Sequence, residues 1–251
     1  MKGSIIVMRN IKLVLEYDGT NFSGWQKQPQ KRTIQEEIET ALYKILKEEV
    51  TVIGSGRTDA GVHALGQVAN FMTNAKIKPE ELLYAINTML PIDIVVISVE
   101  EVSEEFNARI SAKKKHYRYV INNSKFPSAL NANREYHFKY FLDTEIMQLA
   151  ANDLIGSHDF KAFCSAKSSV KDTTREVYLI KVNRLSDRVV IDIVGNGFLY
   201  NMVRIITGTA IAVSDGLIDP KDTKEILESK DRNRAGVTVA PHGLYLNKVF
   251  Y

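Results

Sequence analysis

The stretch Gly54-Ser55-Gly56-Arg57-Thr58-Asp59-Ala60-Gly61-Val62-His63 joins two predicted strands and contains the most informative pattern in the chain. Three glycines within eight residues tolerate backbone conformations that other residues avoid, and they let a ligand approach the main chain. No nucleotide-binding fingerprint fits. A phosphate-binding loop requires Lys and then Ser or Thr where Val62-His63 stands, and a dinucleotide-binding loop requires glycine at position 59. The stretch therefore reads as a tight loop that carries one carboxylate.

Asp59 is the first candidate for a catalytic group, with Arg57 two residues before it. An aspartate in such a turn commonly accepts hydrogen bonds from backbone N–H groups, and the pattern alone favours this structural interpretation. Asp18 is a competing carboxylate. It precedes Gly19 at the end of a predicted strand, where Asp-Gly is typical of a turn, so the structural interpretation is stronger there.

Working outward from the loop, the two halves of the chain show a similar order of elements. The first half predicts strands over residues 11–17, 51–53, 67–72 and 94–99, a helix that begins at a Thr33–Glu36 capping box, and a helix over 79–90. The second half predicts strands over 115–122, 176–182, 188–194 and 244–251, and helices over 144–155, over 198–213 and from Asp219-Pro220. This order is roughly ferredoxin-like in each half. We expect an α+β protein of two lobes, 1–106 and 107–251, that share a continuous, mostly antiparallel sheet with a central cleft as the site.

The composition is that of a globular protein, with 45% hydrophobic and 25% charged residues. It excludes a disordered chain, a collagen-like repeat and a disulfide scaffold. Cys164 is the single cysteine and the five histidines lie far apart, so the sequence predicts no metal site. No segment is apolar enough to span a membrane, and the run from Ile5 to Met8 is too short for a secretory leader. These features predict a cytoplasmic protein.

The net charge is only +3, so a nucleic-acid surface requires local clustering of cations. Residues 107–125 supply such a cluster, with six cations and no acid: Arg109, Lys113, Lys114, Lys115, Arg118 and Lys125. Strand alternation places Lys115, Tyr117 and Tyr119 on one face and His116 and Arg118 on the other. Basic charge interleaved with aromatic rings suits RNA. We expect Tyr119 in the core, whereas core packing and base stacking are evenly balanced for Tyr117.

Arg204 is the one charged residue between Asn196 and Ser214, in the middle of the predicted helix over 198–213. Burying a lone guanidinium costs free energy, so a helix packed on a sheet must provide a partner for it. Either a carboxylate such as Asp59 pairs with Arg204, or the side chain extends to solvent.

The loop over residues 56–64 (GRTDAGVHA) resembles the signature of the TruA-type tRNA pseudouridine synthases. Other segments resemble the same family in the same order along the chain. These are residues 17–20 (YDGT), 22–26 (FSGWQ), 32–35 (RTIQ), 115–119 (KHYRY), 197–204 (GFLYNMVR) and 240–246 (APHGLYL). Residues before Arg9 extend beyond the usual start of the family, which indicates Met8 as an alternative initiator to Met1.

The resemblance implies a pseudouridine-synthase fold, a homodimer, and neither cofactor nor metal. It implies isomerisation of uridine to pseudouridine in the tRNA anticodon stem-loop, at positions 38, 39 and 40. By motif match, Asp59 is the catalytic carboxylate, Tyr117 stacks on the target base and is expected to help move a proton, and Arg204 pairs with Asp59. Arg57 and the run Lys113-Lys114-Lys115 are expected to hold RNA.

The residues leave the chemical role of Asp59 open among attack on the base, attack on the sugar and removal of a sugar proton. A neighbouring guanidinium favours the deprotonated carboxylate. Two rival functions are a non-catalytic RNA-binding module and a small-molecule hydrolase. A pure binder gains nothing from a carboxylate that faces a phosphate-rich ligand, and a hydrolase has no use for the basic segment.

Overall fold

The computed structural model describes residues 8–165 and 170–251. The apolar run that begins at Ile5 lies outside these residues except for Met8. The chain divides into two compact units, Met1–Lys113 with Leu246–Tyr251, and Lys114–Tyr245. The first unit thus includes the last six residues of the chain, because the closing strand lies beside a strand of that unit.

The first unit follows the predicted β-α-β-β-α-β order. Its elements are β1 (Arg9–Tyr17), α1 (Ile34–Leu46), β2 (Ile53–Gly54), β3 (His63–Thr73), α2 (Pro79–Met89) and β4 (Ile94–Val102). The strands lie in the order β4-β1-β3-β10, where β10 is Leu244–Phe250, and β2 pairs with β3. β1 pairs antiparallel with both β3 and β4. The buried stripe of α1, Ile34, Ile38 and Leu42, has the predicted helical spacing.

The start of α1 differs from the capping box that the sequence predicts. Thr33 is the N-cap residue, but its side chain makes no capping hydrogen bond. The N–H groups of Ile34 and Gln35 instead donate to the carbonyls of Gly24 and Trp25, at 3.2 and 3.0 Å. The capping box is therefore wrong, because the loop that precedes α1 already satisfies these donors.

The second unit contains more strands than the sequence predicts. Its elements are β5 (Lys114–Asn122), β6 (Tyr136–His137), α3 (Thr144–Asn152), β7 (Gly156–Asp159), β8 (Thr174–Leu185), β9 (Arg188–Gly195), α4 (Met202–Ser214) and α5 (Asp222–Ser229). The strand order is β5-β9-β8-β7, with antiparallel pairs throughout, and β6 adds to β5 in parallel. The β8–β9 hairpin turns at Ser186-Asp187, as predicted. The α+β class is confirmed.

Helix α4 begins four residues later than the sequence predicts. Asn201 adopts a left-handed conformation, with φ +63°, and the regular helix begins at Met202. Arg204 therefore lies in the first turn of α4 and not in the middle of a helix. Within the described residues, no helix is long and apolar enough to cross a membrane.

Candidate active site

Asp59 lies half-buried on the loop that connects β2 to β3 in the first unit. The Asp59 carbonyl accepts a hydrogen bond from Val62 N–H at 3.1 Å, and Gly61 between them has φ +76°. Glycine adopts such a positive φ without the steric cost that other residues meet. The loop therefore turns sharply directly after the carboxylate.

Four buried polar side chains hold the backbone of this loop, and we call them the Tyr17–Gln67 network: Tyr17, Ser55, Thr58 and Gln67. None is more than 5% exposed. The Tyr17 hydroxyl lies 2.7 Å from Thr58 Oγ1. Ser55 Oγ donates to Gln67 Oε1 at 2.6 Å, and Gln67 Nε2 donates to the Gly56 carbonyl at 3.0 Å. Burial raises the pKa of Tyr17 to about 12, although its hydrogen bonds with Thr58 and Gln67 act to lower it.

Glycines let the chain segment after β1 pack against the Asp59 loop. A Cβ at Gly24, where φ is +94°, would stand 2.7 Å from the Thr58 carbonyl oxygen. A Cβ at Gly54 would stand 2.5 Å from the ring of Trp25. Gly54 therefore makes room for a side chain of the protein and not for a ligand. Trp25 is 2% exposed, and its N–H donates to the Thr58 carbonyl at 3.0 Å, so it anchors the loop.

Arg57 is exposed on the same loop. Its Nε donates to Gln26 Oε1 at 3.1 Å, and Gln26 Nε2 donates to Gln35 Oε1 at 2.7 Å. Gln35 lies on α1 and is 7% exposed. These contacts place a guanidinium at the protein surface beside Asp59 in sequence, where it is accessible to an anionic ligand.

Asp18 has the structural role that its sequence context predicts. Its Oδ1 accepts hydrogen bonds from the N–H and the hydroxyl of Thr20, at 3.0 and 2.5 Å, and this caps a short 3₁₀ turn. His63 Nδ1 lies 3.2 Å from the same carboxylate oxygen, but it also lies 3.0 Å from the N–H of Gly19. Because that N–H can only donate, His63 Nδ1 is placed to accept from it.

The tyrosines of β5 alternate with its polar residues, as predicted. Tyr119 is fully buried, and its hydroxyl donates to the Ala240 carbonyl at 2.7 Å. Burial raises the pKa of Tyr119 well above its ordinary value, nearby Tyr136 adds to the increase, and Arg204 opposes it. Tyr117 is 8% exposed, and its ring packs edge-on against Phe198 at a centroid distance of 5.1 Å. The Tyr117 ring therefore has a defined orientation in the structure.

The basic segment over residues 107–125 contains both solvent-exposed lysines and cations that pair with a carboxylate. Lys113 and Lys114 are exposed, Lys115 is half-buried, and Lys114 Nζ lies 4.5 Å from the centre of the Tyr178 ring. Arg118 instead pairs with Asp192 through Nε at 2.8 Å, and His116 Nε2 lies 2.6 Å from that carboxylate. Burial acts to raise the pKa of Asp192, but the hydrogen bonds from His116 and Arg118 outweigh burial and lower it.

Arg204 is half-buried and makes two hydrogen bonds within the second unit. Its Nε donates to the Val239 carbonyl at 2.7 Å, and its Nη1 donates to Asn201 Oδ1, also at 2.7 Å. Arg204 is therefore not a side chain that simply extends into solvent. The carbonyls of Val239 and Ala240, which are adjacent in sequence, accept from Arg204 and Tyr119, so this segment links α4 to β5.

The sequence-predicted site residues are distributed over both units. Asp59, Arg57 and Lys113 belong to the first unit, and Lys114, Lys115, Tyr117 and Arg204 belong to the second. Sequence reasoning missed the Tyr17–Gln67 network. The apolar alternation of β1 marks Tyr17 as buried, but no local pattern names its partners. Among the described residues, no group of three or more His, Cys, Asp and Glu side chains could hold a metal ion.

A family model described as tRNA pseudouridine synthase matches residues 13–110 and 150–251. The chain is 51% identical over 244 residues to tRNA pseudouridine synthase A of Acetivibrio thermocellus, across 97% of this chain and 100% of that protein. It is 50% identical over 244 residues to tRNA pseudouridine synthase A of Thermoanaerobacter pseudethanolicus, with the same two coverages. It is 46% identical over 243 residues to tRNA pseudouridine synthase A of Bacillus pumilus, across 96% of this chain and 98% of that protein.

Among solved structures, a chain of a Cbf5-Nop10-Gar1 complex aligns with a TM-score of 0.35 and 15% identity, over 80% of this chain and 53% of that chain. The three sequence relatives have a much higher identity to this chain, between 46% and 51%. They define an RNA-modifying isomerase that acts on tRNA. The chain belongs to the tRNA pseudouridine synthase family, and the predicted resemblance to its TruA type is confirmed.

Proposed function

We propose that the chain forms pseudouridine at positions 38, 39 and 40 of the tRNA anticodon stem-loop, with Asp59 as the catalytic carboxylate. One observation carries the assignment of the residue. Asp59 lies on a loop whose backbone is held by the buried Tyr17–Gln67 network, and this loop belongs to the segment that the family model matches. Catalytic groups require such a rigid support, because they act only within a narrow range of geometry.

The reaction breaks the bond between uracil nitrogen and ribose, turns the uracil, and joins the ribose to a ring carbon. The ring carbon loses a proton and the ring nitrogen gains one, so the product is an isomer and no electron is exchanged. A uridine inside a stem is out of reach, so it must first leave the stack and enter a pocket. Asp59 then attacks the base, attacks the sugar or removes a sugar proton.

Tyr117 and Arg204 complete the proposed catalytic set. Tyr117 supplies an aromatic ring for the uracil while it turns, and its fixed packing against Phe198 supports this role. Arg204 is proposed to keep Asp59 ionised and oriented. Its hydrogen bonds to Val239 and Asn201 hold the guanidinium in place, which a directed charge requires. The pairing of Arg204 with Asp59 remains a prediction.

The experiment that tests this function uses unmodified tRNA transcripts and maps pseudouridine after incubation with the protein. We expect modification confined to positions 38, 39 and 40. Pseudouridine at other positions would contradict the assigned region. Tight tRNA binding without any pseudouridine would favour the non-catalytic RNA-binding module. We further propose that the enzyme is a cytoplasmic homodimer, and sedimentation of the purified protein measures its oligomeric state.

We expect Tyr117→Ala to lower the single-turnover rate about 5- to 150-fold, since aromatic stacking on a base contributes about 1–3 kcal/mol. Tyr117→Phe keeps the ring, so the difference between the two variants measures what the hydroxyl contributes. Ile121→Ala is the matched control, because Ile121 is buried on the same strand and its truncation also leaves a cavity. Equal losses in Tyr117→Ala and Ile121→Ala would assign Tyr117 to the core alone.

We expect simultaneous change of Lys113, Lys114 and Lys115 to Ala to weaken tRNA binding and flatten its dependence on salt. Each lost phosphate contact reduces the slope of log K against log salt by about 0.7 to 0.9, because fewer counterions are released. The control removes three exposed lysines elsewhere: Lys44, Lys221 and Lys224. Equal salt slopes for the two triple variants, measured by filter binding, would place the RNA away from the 113–115 run.

A further inference from the structure

We infer that Tyr17 is a positioning residue for pseudouridine formation, and that it acts through Thr58 on the carboxylate of Asp59. This inference rests on the proposed catalytic role of Asp59. It concerns the support of that group and not a contact with the substrate, because Tyr17 is 3% exposed and Thr58 is 5% exposed.

A continuous path of contacts leads from the sheet to the backbone of Asp59. Tyr17 is the last residue of β1, and both β3 and β4 pair with that strand up to Tyr17. Its hydroxyl lies 2.7 Å from Thr58 Oγ1. The Thr58 carbonyl accepts from Trp25 N–H at 3.0 Å, so both the side chain and the main chain of Thr58 are held. Asp59 follows directly, and its backbone position depends on that of Thr58.

Between β2 and β3 the loop forms no regular secondary structure. It contains Gly56 and Gly61, which favour backbone freedom. It connects the two-residue strand β2 to the eleven-residue strand β3, and it is held by hydrogen bonds to side chains, to β3 and to the segment after β1. Removal of one such contact gives the carboxylate more freedom, and a displacement of about 1 Å costs about 100-fold in rate.

The chemistry of the hydroxyl fits support and not proton transfer. Gln67 Nε2 donates to the Tyr17 oxygen at 3.4 Å, because an amide nitrogen can only donate, and this leaves the phenolic proton available for Thr58. A buried hydroxyl without its partner costs free energy, so Tyr17 and Thr58 constrain each other. The Tyr17 ring also packs near Trp25, at a centroid distance of 6.2 Å, and a phenylalanine preserves that contact.

The test compares four variants in single-turnover kinetics with an unmodified tRNA transcript. Tyr17→Phe and Thr58→Val each remove one hydroxyl and keep the side-chain volume. We expect each to lower kcat about 10- to 100-fold while KM and the tRNA Kd stay unchanged. Thr58→Ser restores the hydroxyl, so we expect it to recover most of the rate. Tyr251→Phe is the matched control, since its hydroxyl donates to the Ala108 carbonyl at 2.8 Å within the same unit.

Thermal unfolding separates positioning from stability. A purely structural hydroxyl would give Tyr17→Phe and Tyr251→Phe similar losses of Tm and leave kcat near the wild-type value in both, which would overturn the inference. Non-additive losses in the Tyr17→Phe, Thr58→Val double variant support it, because the two residues form one contact. If Tyr17→Phe does not fold, failure of Thr58→Ser to exceed Thr58→Val in kcat is the overturning result.

Asp59→Asn, measured in parallel, separates the catalytic role of Asp59 from the positioning role of Tyr17. An active Asp59→Asn enzyme would contradict the proposed catalytic role of Asp59, whatever the result for Tyr17→Phe. An inactive Asp59→Asn enzyme together with a fully active Tyr17→Phe enzyme would contradict the positioning role of Tyr17 and leave the catalytic role of Asp59 intact.

Discussion

Asp59→Asn is expected to abolish pseudouridine formation while tRNA binding stays largely intact. Asparagine keeps the shape of the side chain but loses the charge and the nucleophilic oxygen. If Asp59 transfers a proton, the single-turnover rate falls at least about 100-fold, which is the lower end of what a positioned acid or base contributes. The loss is larger if Asp59 forms a covalent bond. Pseudouridine mapping and filter binding measure the two quantities on one preparation.

Asp18→Asn is the matched control, because Asp18 is another half-buried carboxylate of the first unit and caps a short turn. Asparagine also caps such turns, so we expect turnover close to that of the wild type. A near wild-type rate for Asp59→Asn would contradict the catalytic assignment. Inactivity of Asp18→Asn alone would transfer that assignment to Asp18.

Arg204→Met is expected to leave the protein folded and to lower the rate about 100-fold or more, the loss typical when one oriented electrostatic group is removed from an active site. Methionine replaces the volume without the charge. It does not replace the hydrogen bond to the Val239 carbonyl, so we expect a loss of about 1–3 kcal/mol in the free energy of unfolding. Single-turnover kinetics and thermal unfolding measure both effects.

Arg232→Met is the control for the lost hydrogen bonds. Arg232 is half-buried in the same unit and donates to the Ala235 carbonyl at 3.2 Å and to Thr238 Oγ1 at 3.0 Å. We expect a similar loss of stability and little loss of rate. Because a neighbouring guanidinium favours an ionised carboxylate, Arg204→Met should also move the acid limb of the pH–rate profile to higher pH. An unchanged acid limb would contradict the predicted pairing with Asp59.

Local sequence patterns predicted the elements that depend on near neighbours. The strand that ends at Tyr17, the helix that begins at Pro79 and the turn at Ser186-Asp187 follow from periodicity and turn chemistry, and all three are present. The burial of Tyr119 follows from strand alternation. The Asp59 loop could also be recognised from local sequence, because the nine residues 56–64 are contiguous and form a distinctive pattern.

Long-range contacts decided the features that the sequence did not predict. Helix α1 starts without the predicted capping box because Gly24 and Trp25, about ten residues earlier, accept its first N–H groups. β6 and β7 have two and four residues, too few to show a period, and they exist because β5 and β8 pair with them.

The same division holds within the candidate site. Local patterns were enough to identify the residues with the relevant chemistry: Asp59 on a glycine-rich loop, Tyr117 in a basic strand and Arg204 as the one charge in an apolar segment. The contacts that hold these residues became visible in the folded chain. Tyr17 reaches Thr58 across 41 positions, and Arg204 reaches the Val239 carbonyl across 35. A local pattern encodes periodicity and turn chemistry, whereas the partner of a buried polar group depends on which distant segments the folded chain brings within hydrogen-bond distance.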